Sequence, residues 1–398
     1  MRIAHIITRM IVGGAQENTL FNCLDLIEQF GDEVLLITGP ALGPEGDLMR
    51  QGRGPNVPTR YLPSLRRAIH PWRDWQAYRD LRGVLAEFQP DVVHTHSAKG
   101  GFLGRLAAAA QRVPAIVHTV HGAPFHPYQN IVPRTVYRWL ETYAARRCHA
   151  LISVADAMTA QLTAAGVAPP EKFTTIYSGM DVEPFLAAPQ HRERTRQRLG
   201  YQPGQIVIGK IARLFHLKGH ADILAAAARL RPTHPSARFL FIGNGILRDS
   251  LQRRIDELGL TDMFQFTGLV PPSQIPELLS AMDILVHASL REGLARALPQ
   301  ALLAGKPIIS YDIDGAREVC ITGETGFLVP PRDISALTLA MKSLLADQAL
   351  RDRLAETGRQ RFAQQFRHQY MTERIRELYA RVLAEHGISA VKAFSGSD

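Results

Sequence analysis

The chain has 398 residues, 46% of them apolar, enough for two packed cores and too many for a disordered chain. Its net charge of +9 is spread along its length, with 18 Lys/Arg against 14 Asp/Glu in residues 1–180 and 28 against 23 beyond. With no helix-turn-helix, zinc finger or aromatic-interleaved basic motif beside that charge, nucleic acid is not an expected partner. Three scattered cysteines (Cys23, Cys148, Cys320) fit a reducing compartment, no apolar run reaches about 18 residues, and the opening MRIAHIITRM, broken by Arg9, reads as a strand rather than a secretory signal.

Short β-branched runs bounded by Gly, Pro or polar residues predict strands at 3–8, 33–38, 91–95, 115–119, 150–154 and 174–177. Helical stretches such as 15–30, 72–88 and 135–147 separate them. This alternation argues for a parallel sheet covered on both faces. Between the first strand and first helix, Gly13, Gly14, Ala15 and Gln16 form a loop that can bring backbone close to a ligand at a helix N-terminus. It also reads as a plain tight turn. It lacks the GxGxxG spacing, which disfavours a nicotinamide cofactor. Arginines gather at 60–82 and 134–147, either as solvated helix faces or as attraction for anionic lipid headgroups or phosphorylated substrates.

The rhythm pauses at 181–204, rich in proline, charge and glycine, and predicts a crossover between domains. It restarts with strands at 207–212, 239–243, 264–267, 284–287 and 307–310 and helices at 221–231, 247–258, 275–281, 296–304 and 335–345. Eleven strands are too many for one comfortable sheet, so two sheets are predicted. An amphipathic helix at 369–385 and a loose polar tail at 387–398 close the chain.

Two strand-end loops of the second half carry chemistry. Arg213 and Lys218 follow the first strand there, and two such cations can converge on a diphosphate. As a glycosidic bond breaks, a leaving diphosphate gains charge, so fixed cations favour the transition state. The run from Arg291 to Gln300 follows a later strand. Glu292 can accept hydrogen bonds from sugar hydroxyls, and backbone N–H groups from Gly293 toward the next helix can hold phosphate or sugar oxygens. Taken singly, the cations read as solvated and Glu292 as a helix cap.

The order and spacing of several motifs resemble the family 4 retaining glycosyltransferases of GT-B architecture, the group 1 glycosyl transferases. The motifs are the Gly-Gly loop, DVVHTH from Asp91, VHTVHG from Val117, IYSGMD from Ile176, Arg213 with Lys218, Gly243-Asn-Gly, FTGLV from Phe266, and AMDILVHASLREG from Ala281. The resemblance covers nearly the whole chain. It implies an α/β fold of two doubly wound Rossmann-like domains facing across a cleft. The acceptor-side domain spans 1–183, with the 369–385 helix packed back on it, and the nucleotide-sugar domain spans 184–368. It further implies transfer from a UDP- or GDP-sugar, with retention, to a glycan, lipid-linked or small-molecule acceptor, an anionic or lipid-linked glycan at the cytoplasmic face of the membrane being the expected partner, in bacterial surface polysaccharide synthesis. No cofactor and no metal are implied.

By the same resemblance Arg213 and Lys218 hold the diphosphate, and Glu292 opens the family's Glu-x7-Glu motif against the transferred sugar. Gly293, Leu294 and Ala295 offer backbone donors, Gly14 and Gly243 approach the donor, His121 hydrogen-bonds the sugar near its anomeric centre, and Val270 meets the base. Two positions depart. Gln300 replaces the second glutamate, which predicts weaker ribose binding because a charged hydrogen bond is worth about 1.5–3 kcal/mol against about 0.5–1.5 for a neutral one. Ala295 replaces a common glycine, so the sugar pocket is expected to differ. His94, His96, His118 and His121 suggest metal ligands, but with no acidic partner in view none is expected. Asp312-Ile-Asp314 reads as a structural turn. A nucleotide-sugar epimerase and a non-catalytic sugar or lipid-headgroup binder remain alternatives.

Overall fold

The computed structural model describes residues 1–42, 46–50 and 54–385, so the expected tail at 387–398 lies outside the described residues. The chain divides into two compact units, one of Met1–Met180 with the segment from Arg367 onward, the other of Asp181–Phe366.

The first unit runs β1 (Arg2–Arg9), α1 (Gly14–Glu28), β2 (Glu33–Gly39), β3 (Thr59–Tyr61), α2 (Pro71–Phe88), β4 (Val92–His96), α3 (Ala98–Ala110), β5 (Ala115–Val120), α4 (Ile131–Ala145), β6 (Ala150–Ser153), α5 (Asp156–Ala164) and β7 (Phe173–Thr175). The strands form one parallel sheet in the order β3-β2-β1-β4-β5-β6-β7, with the order reversing between β1 and β4. Six of the eight residues of β1 are buried without alternation, as a strand covered on both faces requires. Pro71 presets the first turn of α2, His70 caps it by accepting the Arg73 N–H, and Gln89 closes it with a left-handed φ of 46°. Gly100 lets α3 lie directly on β1, since a Cβ there would come 2.7 Å from the Thr8 nitrogen.

The second unit runs α6 (Glu183–Leu186), α7 (Arg192–Leu199), β8 (Ile206–Ile211), α8 (His220–Leu230), β9 (Ala237–Ile242), α9 (Arg248–Glu257), β10 (Phe264–Gly268), α10 (Ile275–Ser280), β11 (Ile284–His287), α11 (Ala297–Leu303), β12 (Ile308–Tyr311), β13 (Gly326–Val329), α12 (Ile334–Ala346) and α13 (Gln348–Phe362). Its parallel sheet has the order β10-β9-β8-β11-β12-β13, reversing between β8 and β11. The segment expected to be a crossover at 181–204 is largely helical and stitched to this unit. Arg192 and Arg196 of α7 reach the Asp283 carboxylate at 2.5 and 3.2 Å, and Gly200 ends the helix in the left-handed region. The charge of this segment is used within the unit, Arg192 and Arg196 holding Asp283 and Arg194 and Arg198 reaching Glu277.

The last helix, α14 (His368–Glu385), belongs to the first unit. Met371, Ile375, Leu378, Tyr379 and Val382 form an apolar stripe at helical spacing and join the core beneath β1, β4 and β5. Polar anchors hold it to α1 and to the turn that follows α1. The Asp25 Oδ2 accepts from Thr372 at 2.9 Å and pairs with His368 Nδ1 at 2.7 Å, and Arg376 reaches Asp32 at 2.9 Å.

Candidate active site

In an open parallel sheet, ligands bind beyond the carboxyl ends of the strands where the strand order reverses. In the second unit that point lies between β8 and β11. The loop after β8 carries Arg213 and Lys218, and the loop after β11 carries Glu292. The two loops are clamped together. A Cβ on Gly219, whose φ is +70°, would fall 1.8 Å from the Ala288 carbonyl oxygen, and Leu290 N–H donates to the Leu217 carbonyl at 2.8 Å.

Glu292 is the hub. Its Oε1 accepts from Lys218 Nζ at 2.5 Å, from Ser289 Oγ at 2.8 Å and from His287 Nε2 at 3.2 Å. Its backbone N–H donates to Asp314 Oδ2 at 2.7 Å, and Gly315 N–H donates to the Gly293 carbonyl. Burial alone would raise the Glu292 carboxyl, but the His287 hydrogen bond and the Lys218 charge outweigh it and hold the group well below the usual carboxylate range. Burial lowers His287 to about 4, so the ring is neutral and its Nε2 must carry the proton given to the carboxylate. Its Nδ1 is then a buried lone pair without a partner. Beneath the hub lies Lys210, on β8 and 1% exposed, its Nζ likewise unpaired; burial and the nearby Lys218 charge lower it to about 7.

Arg213 is exposed, its guanidinium 5.0 Å from the Phe215 ring. Gly243 follows β9 with φ +135°, and a Cβ there would meet the Ala212 oxygen at 2.1 Å, so this glycine keeps the strand end against the Arg213 loop. Val270 is half-buried beyond β10, and Gln300 is half-buried on α11. Gly293 and Leu294 are half-buried, whereas Ala295 is buried at 8% exposure.

In the first unit Gly14 opens α1, and His121 follows β5. His121 Nε2 lies 3.2 Å from His96 Nδ1, and His96 Nε2 lies 3.1 Å from His5 Nδ1. His94 contacts Tyr379 at 2.5 Å and Thr119 at 2.7 Å. His5, His94 and His96 are all buried, each offering a nitrogen within 4.8 Å of the others, a set that could hold a metal ion. Beyond β1 and β4 a cavity of about 630 Å³ is lined by Arg9, Gln16, Arg67, Lys99, Tyr137 and Leu140 among others.

Two family models cover most of the chain. The description "Glycosyl transferases group 1" matches residues 191–361, and "Glycosyl transferase 4-like domain" matches residues 18–179. The chain belongs to the group 1 glycosyl transferases. It is 28% identical over 382 residues to the UDP-Gal:alpha-D-GlcNAc-diphosphoundecaprenol alpha-1,3-galactosyltransferase of Escherichia coli, covering 95% of this chain and 96% of that one. It is 29% identical to the putative glycosyltransferase EpsD of Bacillus subtilis, covering 83% of this chain and 87% of the relative. The crystal structure of Anabaena HepE in complex with UDP and glucose superposes with a TM-score of 0.80 at 21% identity, covering 96% and 99% of the two chains. The transferase therefore has the GT-B fold.

Within the transferase's second unit the structure brings Lys218 and Glu292 into direct contact and leaves Arg213 on the same loop as Lys218. Three groups of this neighbourhood escaped the sequence reading. Asp314, read as a turn residue, does have a left-handed φ of 43°, but it also braces the Glu292 backbone. His287 and Ser289 hold the Glu292 carboxylate. Their positions three and five residues before Glu292 were the available signal. In the first unit His5, which register pairs with His94, was not singled out at all.

Proposed function

We propose that the transferase moves a sugar from a UDP- or GDP-sugar to an anionic, lipid-linked glycan acceptor with retention, in the building of a bacterial surface polysaccharide. The observation that carries this reading is the Lys218–Glu292 contact at the strand-order reversal of the second unit, on the loop that also bears Arg213. Arg213 and Lys218 stabilise the leaving diphosphate, and backbone amides of Gly293, Leu294 and Ala295 assist them. Glu292 stays ionised and accepts hydrogen bonds from the sugar. Gln300 meets the ribose and Val270 the base, while Gly243 keeps the diphosphate loop in place. From the first unit, His121 hydrogen-bonds the sugar and the Gly14 backbone approaches the diphosphate.

Retention by front-face attack suits this chemistry. Glu292 Oε1 is taken by Lys218, Ser289 and His287, which fixes the carboxylate and turns Oε2 to the role of accepting from sugar hydroxyls. The reading is supported by the E. coli relative, whose name specifies a UDP-sugar donor and a diphosphoundecaprenol-linked acceptor. Arg9 and Arg67 in the wall of the first-unit cavity favour an anionic acceptor, whereas Lys99 there is paired with Asp74 at 2.6 Å. Beside that cavity, α4 turns Ile131, Val132, Val136 and Trp139 outward between the exposed Arg134 and Arg138, a composition suited to the interface of an anionic membrane. Among the described residues no helix is long and apolar enough to cross a membrane.

The deciding experiment measures sugar transfer and UDP or GDP release in wild type and Arg213→Ala. Turnover should fall about 100-fold or more, the range seen when a donor to a developing anion is removed, with the thermal midpoint little changed. Near-normal transfer by that variant would refute the assignment. Anomeric configuration of the product by NMR tests retention. Co-sedimentation with anionic but not neutral vesicles tests the membrane contact.

A further inference from the structure

His121 ends a line of imidazoles that runs back into the first unit's core. Parallel register places His5 of β1 beside His94 of β4, and the two-residue repeat of a strand puts His96 on the same face. His5 Nδ1 is 3.1 Å from His96 Nε2, and His96 Nδ1 is 3.2 Å from His121 Nε2. His5 and His96 are 0% exposed, and the His5 and His96 rings lie stacked at 14°. Each contact joins two ring nitrogens, so one must donate and the other accept. The proton on any one ring therefore dictates the protons on all three.

The buried end of the line selects the direction. His5 Nε2 is buried and has no partner. If His121 donated inward, His5 would have to keep its proton on Nε2, an N–H with nothing to accept it. Orphaned buried N–H groups are the rarest kind of unpaired polar group. In the opposite direction His5 keeps only an unpaired lone pair there, the arrangement His287 shows at its own Nδ1. We propose that His5 and His96 are positioning residues for the reaction: His5 donates to His96, His96 donates to His121 Nε2, and His121 is thereby held with its proton on Nδ1, ready to donate to the sugar. The proposal rests on the reading of His121 as a sugar contact. In this arrangement His96 accepts at Nε2 and carries its proton on Nδ1, so it has no lone pair left for a metal, which separates this assignment from a His5, His94, His96 metal centre.

Two measurements on the full chain test it. In long-range proton–nitrogen NMR of histidine-labelled protein, His121 should appear with Nδ1 protonated and Nε2 unprotonated, and His96→Phe should turn it into a mixture of tautomers. A His121 proton on Nε2 in wild type, or zinc, copper or nickel bound stoichiometrically and lost in His5→Phe, would overturn the proposal. In turnover with whichever of UDP-glucose, UDP-galactose or GDP-mannose is released fastest, His96→Phe should lower kcat on the order of 10–100-fold with donor KM nearly unchanged, the penalty of a misplaced group. His96→Asn, which keeps an N–H near the Nδ1 position, should recover most of that loss. In a His121→Ala background His96→Phe should cost nothing further. An equal cost on both backgrounds would mark His96 as merely structural and overturn the proposal. Full turnover by His121→Ala would instead remove the sugar contact itself, and with it the catalytic consequence; the NMR assignment, which needs no turnover, tells that failure apart.

Discussion

At the scale of single residues, the second unit holds one side chain that should weaken nucleotide binding and one buried amine that should destabilise the fold. On the proposed donor site, Gln300 stands where a carboxylate would accept from ribose hydroxyls with a full charge. Gln300→Glu should tighten UDP or GDP binding by about 1 kcal/mol, several-fold in Kd by calorimetry; weaker or unchanged binding would remove Gln300 from the ribose contact. Lys210 is buried without a partner, and its folded-state value of about 7 lies below that of the unfolded chain. Between those values the unfolded state holds the extra proton, so this group's penalty is full below pH 7 and shrinks as pH rises above it. Lys210→Met should therefore raise the thermal midpoint by a few degrees near pH 6–7, roughly 2–4 °C per kcal/mol for domains this size, and by less at pH 9. A gain that grows with pH would contradict the sign.

At the scale of elements, α4 is pinned on one side and open on the other. Glu141 pairs with the fully buried Arg105 at 2.8 Å, which holds the helix on α3 while Ile131, Val132 and Trp139 face outward. Ile131→Ser with Trp139→Ser should abolish pelleting with anionic vesicles and leave the thermal midpoint within about 1 °C, since exposed substitutions change stability by less than about 0.5 kcal/mol. Retained pelleting would move the membrane contact elsewhere. The long buried strands were legible because β-branched runs between glycines and prolines have few other ways to be buried. β3, three residues reading Thr-Arg-Tyr, and β13, opening on a glycine, were not: an edge strand needs no apolar face, so composition does not mark it. Arg213, Lys218 and Glu292 were legible as strand-end loops carrying charge. Their supports were not, because Asp314 meets Glu292, and His5 meets His96, only through tertiary register across 22 and 91 residues.

At the scale of the whole molecule, the second unit is continuous in sequence and the first is not. Its core closes only when α14 supplies Met371, Ile375, Tyr379 and Val382, each worth about 1.5–3 kcal/mol of burial, together with partners for Asp25 and Asp32. A chain ending at Phe366 should keep a protease-resistant second unit and lose resistance throughout residues 1–180. Survival of both units to limited proteolysis would show that α14 is dispensable. The discontinuity also orders events during synthesis. The first unit leaves the ribosome first yet cannot finish, because its last helix is encoded some 190 residues later, roughly 10–40 s at ordinary elongation speeds. Over that interval the unpartnered face of β1, β4 and β5, with the histidines upon it, is the nascent surface most in need of a chaperone, so the portion of the enzyme that begins folding earliest is the portion that matures last.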